Sequence, residues 1–110
     1  MIEILNSQEL KDKQETYNYV LVKIFSDTCI PCKQLGSILE ELEPQYSHIT
    51  FLEMNGANNR DWCISNNIRT VPHLILFDKE TGTSYSLSGM ASKDKVIDFL
   101  KVLENSNQEA

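Results

Sequence analysis

No window of this chain approaches the roughly 18 apolar residues that a membrane-spanning helix needs. Its first residues, Met1-Ile2-Glu3-Ile4-Leu5-Asn6, lack the positive leader, apolar core and small-residue cleavage site of a secretory signal. There is no internal repeat, low-complexity block or Pro/Gly-rich linker. No Lys/Arg cluster offsets the excess of sixteen acidic over ten basic side chains, and a net charge of −6 disfavours attraction to nucleic acid or anionic lipid. Cysteine is scarce: three residues, an odd number, argue against a fully paired secreted framework. A structural zinc site ordinarily wants a second closely spaced Cys/His pair, and His48, Cys63 and His73 stand singly. These absences lead to the expectation of a cytoplasmic protein with no membrane partner, no nucleic-acid partner and no metal.

What remains is enough for one core. The 110 residues, 41% hydrophobic, suffice for a single packed domain over 1–110 and are too few for two. Only the polar end, about 105–110, is expected to fray.

Three runs rich in Val, Ile, Leu and Phe read as strands: Tyr19–Phe25, residues 49–54 and His73–Asp78. Leu35, Ile38, Leu39, Leu42 and Tyr46 recur every three or four residues, the stripe of one long helix. Val96, Ile97, Leu100 and Leu103 form another behind Ser92, an N-cap type. Residues 58–66 read as a shorter helix, and Asn6 with Glu9 as the start of one reaching to about Glu15. Thr81-Gly82 marks a turn into an edge strand at 84–87. Alternating strands and helices predict an α/β layered fold, parallel in its first half and closed by a hairpin and a helix. The apolar run Tyr19–Phe25 is expected at the centre, buried on both faces.

Ser26-Asp27-Thr28-Cys29-Ile30-Pro31-Cys32-Lys33 therefore falls between the central strand and the long helix. Backbone N–H groups and the helix dipole at such a junction favour an anion, which lowers a thiol pKa below its free value of about 8.5. Cys32 lies on the stripe that faces the core and Cys29 at the cap, so Cys29 is expected to be the exposed nucleophile and Cys32 its shielded partner. Pro31 suits a first helical turn, where its missing N–H is not needed. Redox chemistry is favoured here over zinc binding, and over two inert buried cysteines, because the junction is exposed.

Three segments in order carry a family likeness: Phe25-Ser26-Asp27-Thr28-Cys29-Ile30-Pro31-Cys32-Lys33, then Asn67-Ile68-Arg69-Thr70-Val71-Pro72-His73-Leu74-Ile75-Leu76-Phe77, then Ser88-Gly89-Met90. Together they resemble the thioredoxin family over nearly the whole chain. The resemblance implies a thioredoxin fold, a mixed five-stranded β-sheet flanked by four α-helices. It implies a thiol-disulfide oxidoreductase that reduces protein disulfides through Cys29 and Cys32 without a cofactor, with a thioredoxin reductase-type electron donor and a monomeric chain. It also implies a cis Pro72 facing the Cys pair, the Val71 backbone pairing with an extended substrate, and an apolar rim of Ile30, Pro31, Val71, Gly89 and Met90. Two other uses of the same fold remain open on sequence: a binding module whose cysteines are incidental, and a disulfide donor or isomerase.

The chain departs from the family pattern at several positions. Ile30 stands where Gly is usual, Thr28 where Trp is usual, and Ser37 where a helix-kinking Pro is usual. Lys23, six residues before Cys29, replaces a customary buried Asp. Two readings of Lys23 compete: a catalytic role in tuning Cys32, either as a charge that makes the pair less reducing or as a neutral general base, and a stem packed under the helix that carries its ammonium to solvent. Cys63 is expected to be a small core residue, His73 to be hydrogen-bonded or partly exposed, and Asp27 to be a solvated loop carboxylate.

Overall fold

The computed structural model describes residues 1–103. The tail expected to fray lies outside them. Five strands, β1 (Ile2–Ile4), β2 (Tyr19–Phe25), β3 (Thr50–Asn55), β4 (His73–Asp78) and β5 (Thr83–Ser88), alternate with four helices, α1 (Ser7–Thr16), α2 (Ile30–Leu42), α3 (Arg60–Ser65) and α4 (Lys93–Leu100). The sheet order is β1-β3-β2-β4-β5, which puts β2 in the middle. β1, β3 and β2 run parallel, while β4 is antiparallel to β2 and to β5.

Side chains alternate across β2, and this sorts the core into two layers. Leu21 packs with Leu35, Leu39, Leu42, Phe51, Leu74, Val96 and Leu100 beneath α2 and α4. Val20, Val22 and Ile24 face the other way, against Ile4, Leu10, Leu52, Met54, Cys63 and Ile68 on the α1/α3 side. The same alternation turns Lys23 toward α2, and a sheet covered on both sides accounts for the near-continuous apolar run of β2.

Local chemistry sets the helix ends. The Asn6 side chain accepts the Glu9 N–H at 3.0 Å while the Glu9 carboxylate accepts the Leu5 N–H at 2.6 Å, a reciprocal cap for α1. The Ser92 hydroxyl accepts the Lys95 N–H at 3.2 Å and opens α4. The long helix expected through Tyr46 stops at Leu42, and a 3₁₀ turn follows at Glu43–Gln45. Pro44 lacks the N–H that another α-turn needs and its ring clashes with the preceding turn. The helix expected over 58–66 is shorter because the Asn55 side chain accepts the N–H groups of Ala57 (2.8 Å) and Asn58 (3.3 Å), holding that stretch as a turn. β1, at three residues, is too short to show a period in the sequence. With Ser37 in place of Pro, α2 runs unbroken through that position, and the Ser37 hydroxyl donates to the Lys33 carbonyl at 3.2 Å.

Candidate functional site

The register brings three loops to one end of the sheet. Ile24 pairs with His73, Phe25 with Asn55, and His73 with Ser88. The chain therefore leaves β2 toward Cys29, enters β4 from Val71-Pro72, and leaves β5 through Gly89-Met90 at the same edge. The Val71–Pro72 peptide bond is cis. Gly89, at φ 85°, adopts a conformation that favours glycine, and its N–H donates to the Pro72 carbonyl at 2.9 Å. The Val71 backbone makes no hydrogen bond of its own among the described residues.

Cys29 is the N-cap of α2 and Cys32 lies in its first turn, with Pro31 between them. The two sulfurs are joined in a disulfide, with Cα atoms 5.2 Å apart. The Cys29 sulfur also accepts the Cys32 N–H at 3.1 Å, occupying the position where a helix start offers its unpaired donors to an anion. Cys32 is buried at 2% exposure, as its place on the core stripe requires. Cys29 is partly rather than fully exposed. Around the pair, Ile30 is 68% and Met90 43% exposed, Pro31 is exposed, Val71 is half-buried and Pro72 is buried.

Lys23 lies beneath α2. Its side chain is 7% exposed, and its Nζ donates to the Cys32 carbonyl oxygen at 3.3 Å and pairs with Glu53 Oε2 at 3.2 Å. Nζ also stands 5.4 Å from the centre of the Phe25 ring. The expected alternative, an ammonium carried to solvent, is not what this geometry gives. A buried ammonium is tolerated only with partners, and Glu53 supplies the opposite charge from the register position beside Lys23 on β3. Gly36 makes room for it: a Cβ there would stand 2.7 Å from Nζ. A cleft of about 280 Å³ opens beside this group, lined by Lys23, Glu53, Glu3, Asp27, Lys33 and Cys32.

Glu53 is the residue that sequence reasoning passed over. An acid inside a strand, on the same face as buried Phe51, was its signal, but the parallel register that sets it beside Lys23 was not readable.

The remaining candidates separate. Cys63 is the buried residue of α3, its thiol donating to the Gly56 carbonyl at 3.8 Å, and burial raises its pKa, so it stays a neutral core thiol. Asp27 is exposed, with the Asn55 amide donating to it at 3.4 Å. His73 corrects its expectation: it is buried at 8% exposure with no hydrogen-bond partner for Nδ1 among the described residues, and desolvation lowers its pKa. Its Cα stands between Ile24 and Ser88 in the register of the neighbouring strands. Among the described residues no group of three or more His, Cys, Asp and Glu is placed to hold a metal, and no helix is long and apolar enough to cross a membrane.

Comparison with known proteins agrees with this geometry. The thioredoxin family model matches residues 2–102. A thioredoxin of Peptoclostridium acidaminophilum is 36% identical over 78 residues, 70% of this chain and 71% of that protein. A thioredoxin of Buchnera aphidicola subsp. Schizaphis graminum is 32% identical over 101 residues, 91% of this chain and 93% of that protein. Among solved structures, Plasmodium falciparum thioredoxin superposes with a TM-score of 0.81 at 20% identity, covering 92% of this chain and 97% of that one. At that identity the likeness is one of fold.

Proposed function

The chain belongs to the thioredoxin family and is a thiol-disulfide oxidoreductase, and from that premise we propose that Cys29 is its attacking sulfur and Cys32 its resolving one. In the reduced protein the Cys29 thiolate attacks a substrate disulfide, forms a mixed disulfide and expels one substrate thiolate. Cys32 gives up its proton and attacks the Cys29 sulfur, which breaks the mixed disulfide and releases the second substrate thiolate. Two electrons pass to the substrate and the Cys29–Cys32 disulfide remains, the state described above. Disulfide-bearing proteins are the substrate class, and a reductase returns the electrons.

The observation that carries this reading is the Cys29 sulfur at the helix cap, accepting the Cys32 N–H. The same donor stabilises a thiolate once the disulfide opens, and it costs no rearrangement because the helix is already formed. The shielding of Cys32 keeps the second sulfur from solvent reagents while leaving it beside the first.

Ile30, Pro31, Val71, Pro72, Gly89 and Met90 form the substrate contact surface. Exposed apolar side chains at Ile30 and Met90 are the payload to be covered on binding. The unpaired Val71 backbone supplies strand-type hydrogen bonds to an extended segment. Lys23 acts as a positioning residue: its bond reaches the Cys32 carbonyl, and an ammonium paired with Glu53 has no lone pair with which to take a proton. Its charge favours the thiolate form of the pair. The neutral buried Cys63 suits a reducing cytoplasm, and all these residues come from one chain, so a monomer suffices.

Replacing Cys29 and Cys32 together by Ser tests the reading. The double variant is expected to give no acceleration of protein-disulfide reduction over the rate with dithiothreitol alone; retained acceleration overturns it.

A further inference from the structure

The chain has two arginines, and both line one groove. The groove encloses about 700 Å³ and runs from Ser26, whose carbonyl accepts the Cys29 N–H at 3.2 Å, to Val71. Ala57, Ile64, Ile68 and Val71 give it an apolar lining, and among the described residues no acidic side chain lines it. Arg60 and Arg69 are exposed, and neither guanidinium forms an ion pair or hydrogen bond among the described residues. In a chain with sixteen acids, two unpaired cations over one apolar groove form a local reversal of sign. The cleft on the other flank of the Cys pair has the opposite balance, with Glu3, Asp27 and Glu53 against Lys23 and Lys33.

We propose that this groove is a specificity surface for protein disulfides whose reacting cysteine is flanked by acidic and apolar residues. The inference rests on the exchange reading above and names the substrate class for that site. An extended segment paired to the Val71 backbone lays its neighbouring residues along the groove. Apolar side chains cover Ile64 and Ile68, and carboxylates reach the two guanidiniums, which present planar donor forks suited to them. Rim charges of this kind act on encounter rate and partner choice more than on raw affinity. The net charge of −6 makes the case discriminating, because the field of the whole molecule by itself favours basic substrates.

The test uses the full chain, reduced beforehand, in single turnovers with two disulfide-linked peptides of equal length. One carries Asp and Glu on both sides of its cysteine and the other Lys and Arg. At low salt the acidic peptide is expected to react about fivefold faster in second-order rate constant, and added salt should erode the difference. Arg60→Gln with Arg69→Gln should abolish the preference, and Arg60→Glu with Arg69→Glu should invert it. Reduction of an uncharged disulfide, bis(2-hydroxyethyl) disulfide, should be unchanged in both variants, which verifies their fold. Faster reaction with the basic peptide, equal rates, or a preference that survives the arginine variants overturns the proposal while leaving disulfide exchange intact. Failure to reduce any of the three disulfides overturns exchange itself, and the groove's role with it.

Discussion

Lys23 and Glu53 form an ion pair at 3.2 Å beneath the first turns of α2, side by side in the parallel register of β2 and β3. The pair is unequally exposed: the Lys23 side chain is 7% accessible and the Glu53 side chain 29%. Everything proposed for the tuning of the Cys pair passes through this contact, because the third group on the Lys23 ammonium is the Cys32 carbonyl.

That asymmetry sets an order of stabilities. Glu53→Gln leaves a deeply buried ammonium without its counter-charge, and we expect a loss of about 2–3 kcal/mol. Lys23→Met leaves a carboxylate that can rehydrate and fills the space with an apolar stem, so its cost should stay below about 1 kcal/mol. Urea unfolding of the oxidised proteins checks the order, and a Lys23→Met variant the less stable of the two would contradict it.

Redox behaviour should move as well. Removing the Lys23 charge destabilises the thiolate-bearing reduced form, so Lys23→Met should titrate Cys32 at higher pH and have a reduction potential about 20–40 mV lower against glutathione. The Glu53 carboxylate left behind acts in the same direction. Superimposable titrations and equal potentials would remove Lys23 from the mechanism.

Gly36→Ala offers the same test without deleting a charge. The added Cβ would stand 2.7 Å from Lys23 Nζ, the free end of a flexible side chain, which must swing off the Cys32 carbonyl. Alanine gains about 1 kcal/mol of helix propensity over glycine, which offsets the disturbance. Stability within about 1 kcal/mol of the parent, with a Cys32 titration displaced in the direction of Lys23→Met, is the expected result.

His73 gives the fold a dependence on pH. Burial lowers its folded pKa below the ordinary value of about 6.5, so between those two values the unfolded chain binds the extra proton. Its contribution is fully present above about pH 6.5 and is lost as pH falls from there toward the folded pKa, at no more than about 1.4 kcal/mol per pH unit. The difference in unfolding free energy between the parent and His73→Leu should therefore shift against the parent from pH 7.5 to pH 5; a constant difference would exclude this role.

Much of this was legible in residues. The run Tyr19–Phe25 announced a strand covered on both faces, and Asn6 and Ser92 announced two helix starts, because burial and capping leave local patterns. The Cys pair was placed at a helix cap from its neighbours alone. What escaped depended on relations between distant segments. Glu53 gains its meaning only from the β2/β3 register, and nothing in the neighbours of His73, which read as hydrogen-bonded or partly exposed, tells that the fold buries it. Arg60 and Arg69 lie nine positions apart, and only the turn between α3 and β4 brings them to one groove.

The most direct measurement is the alkylation of the reduced protein by iodoacetamide at pH 7, followed by mass spectrometric mapping of the modified cysteine. Cys29 is expected to react well ahead of free cysteine, with Cys32 and the buried, proton-retaining Cys63 left untouched. A Cys29 no faster than free cysteine, or label distributed evenly over the three thiols, would contradict a thiolate held ready at the start of α2.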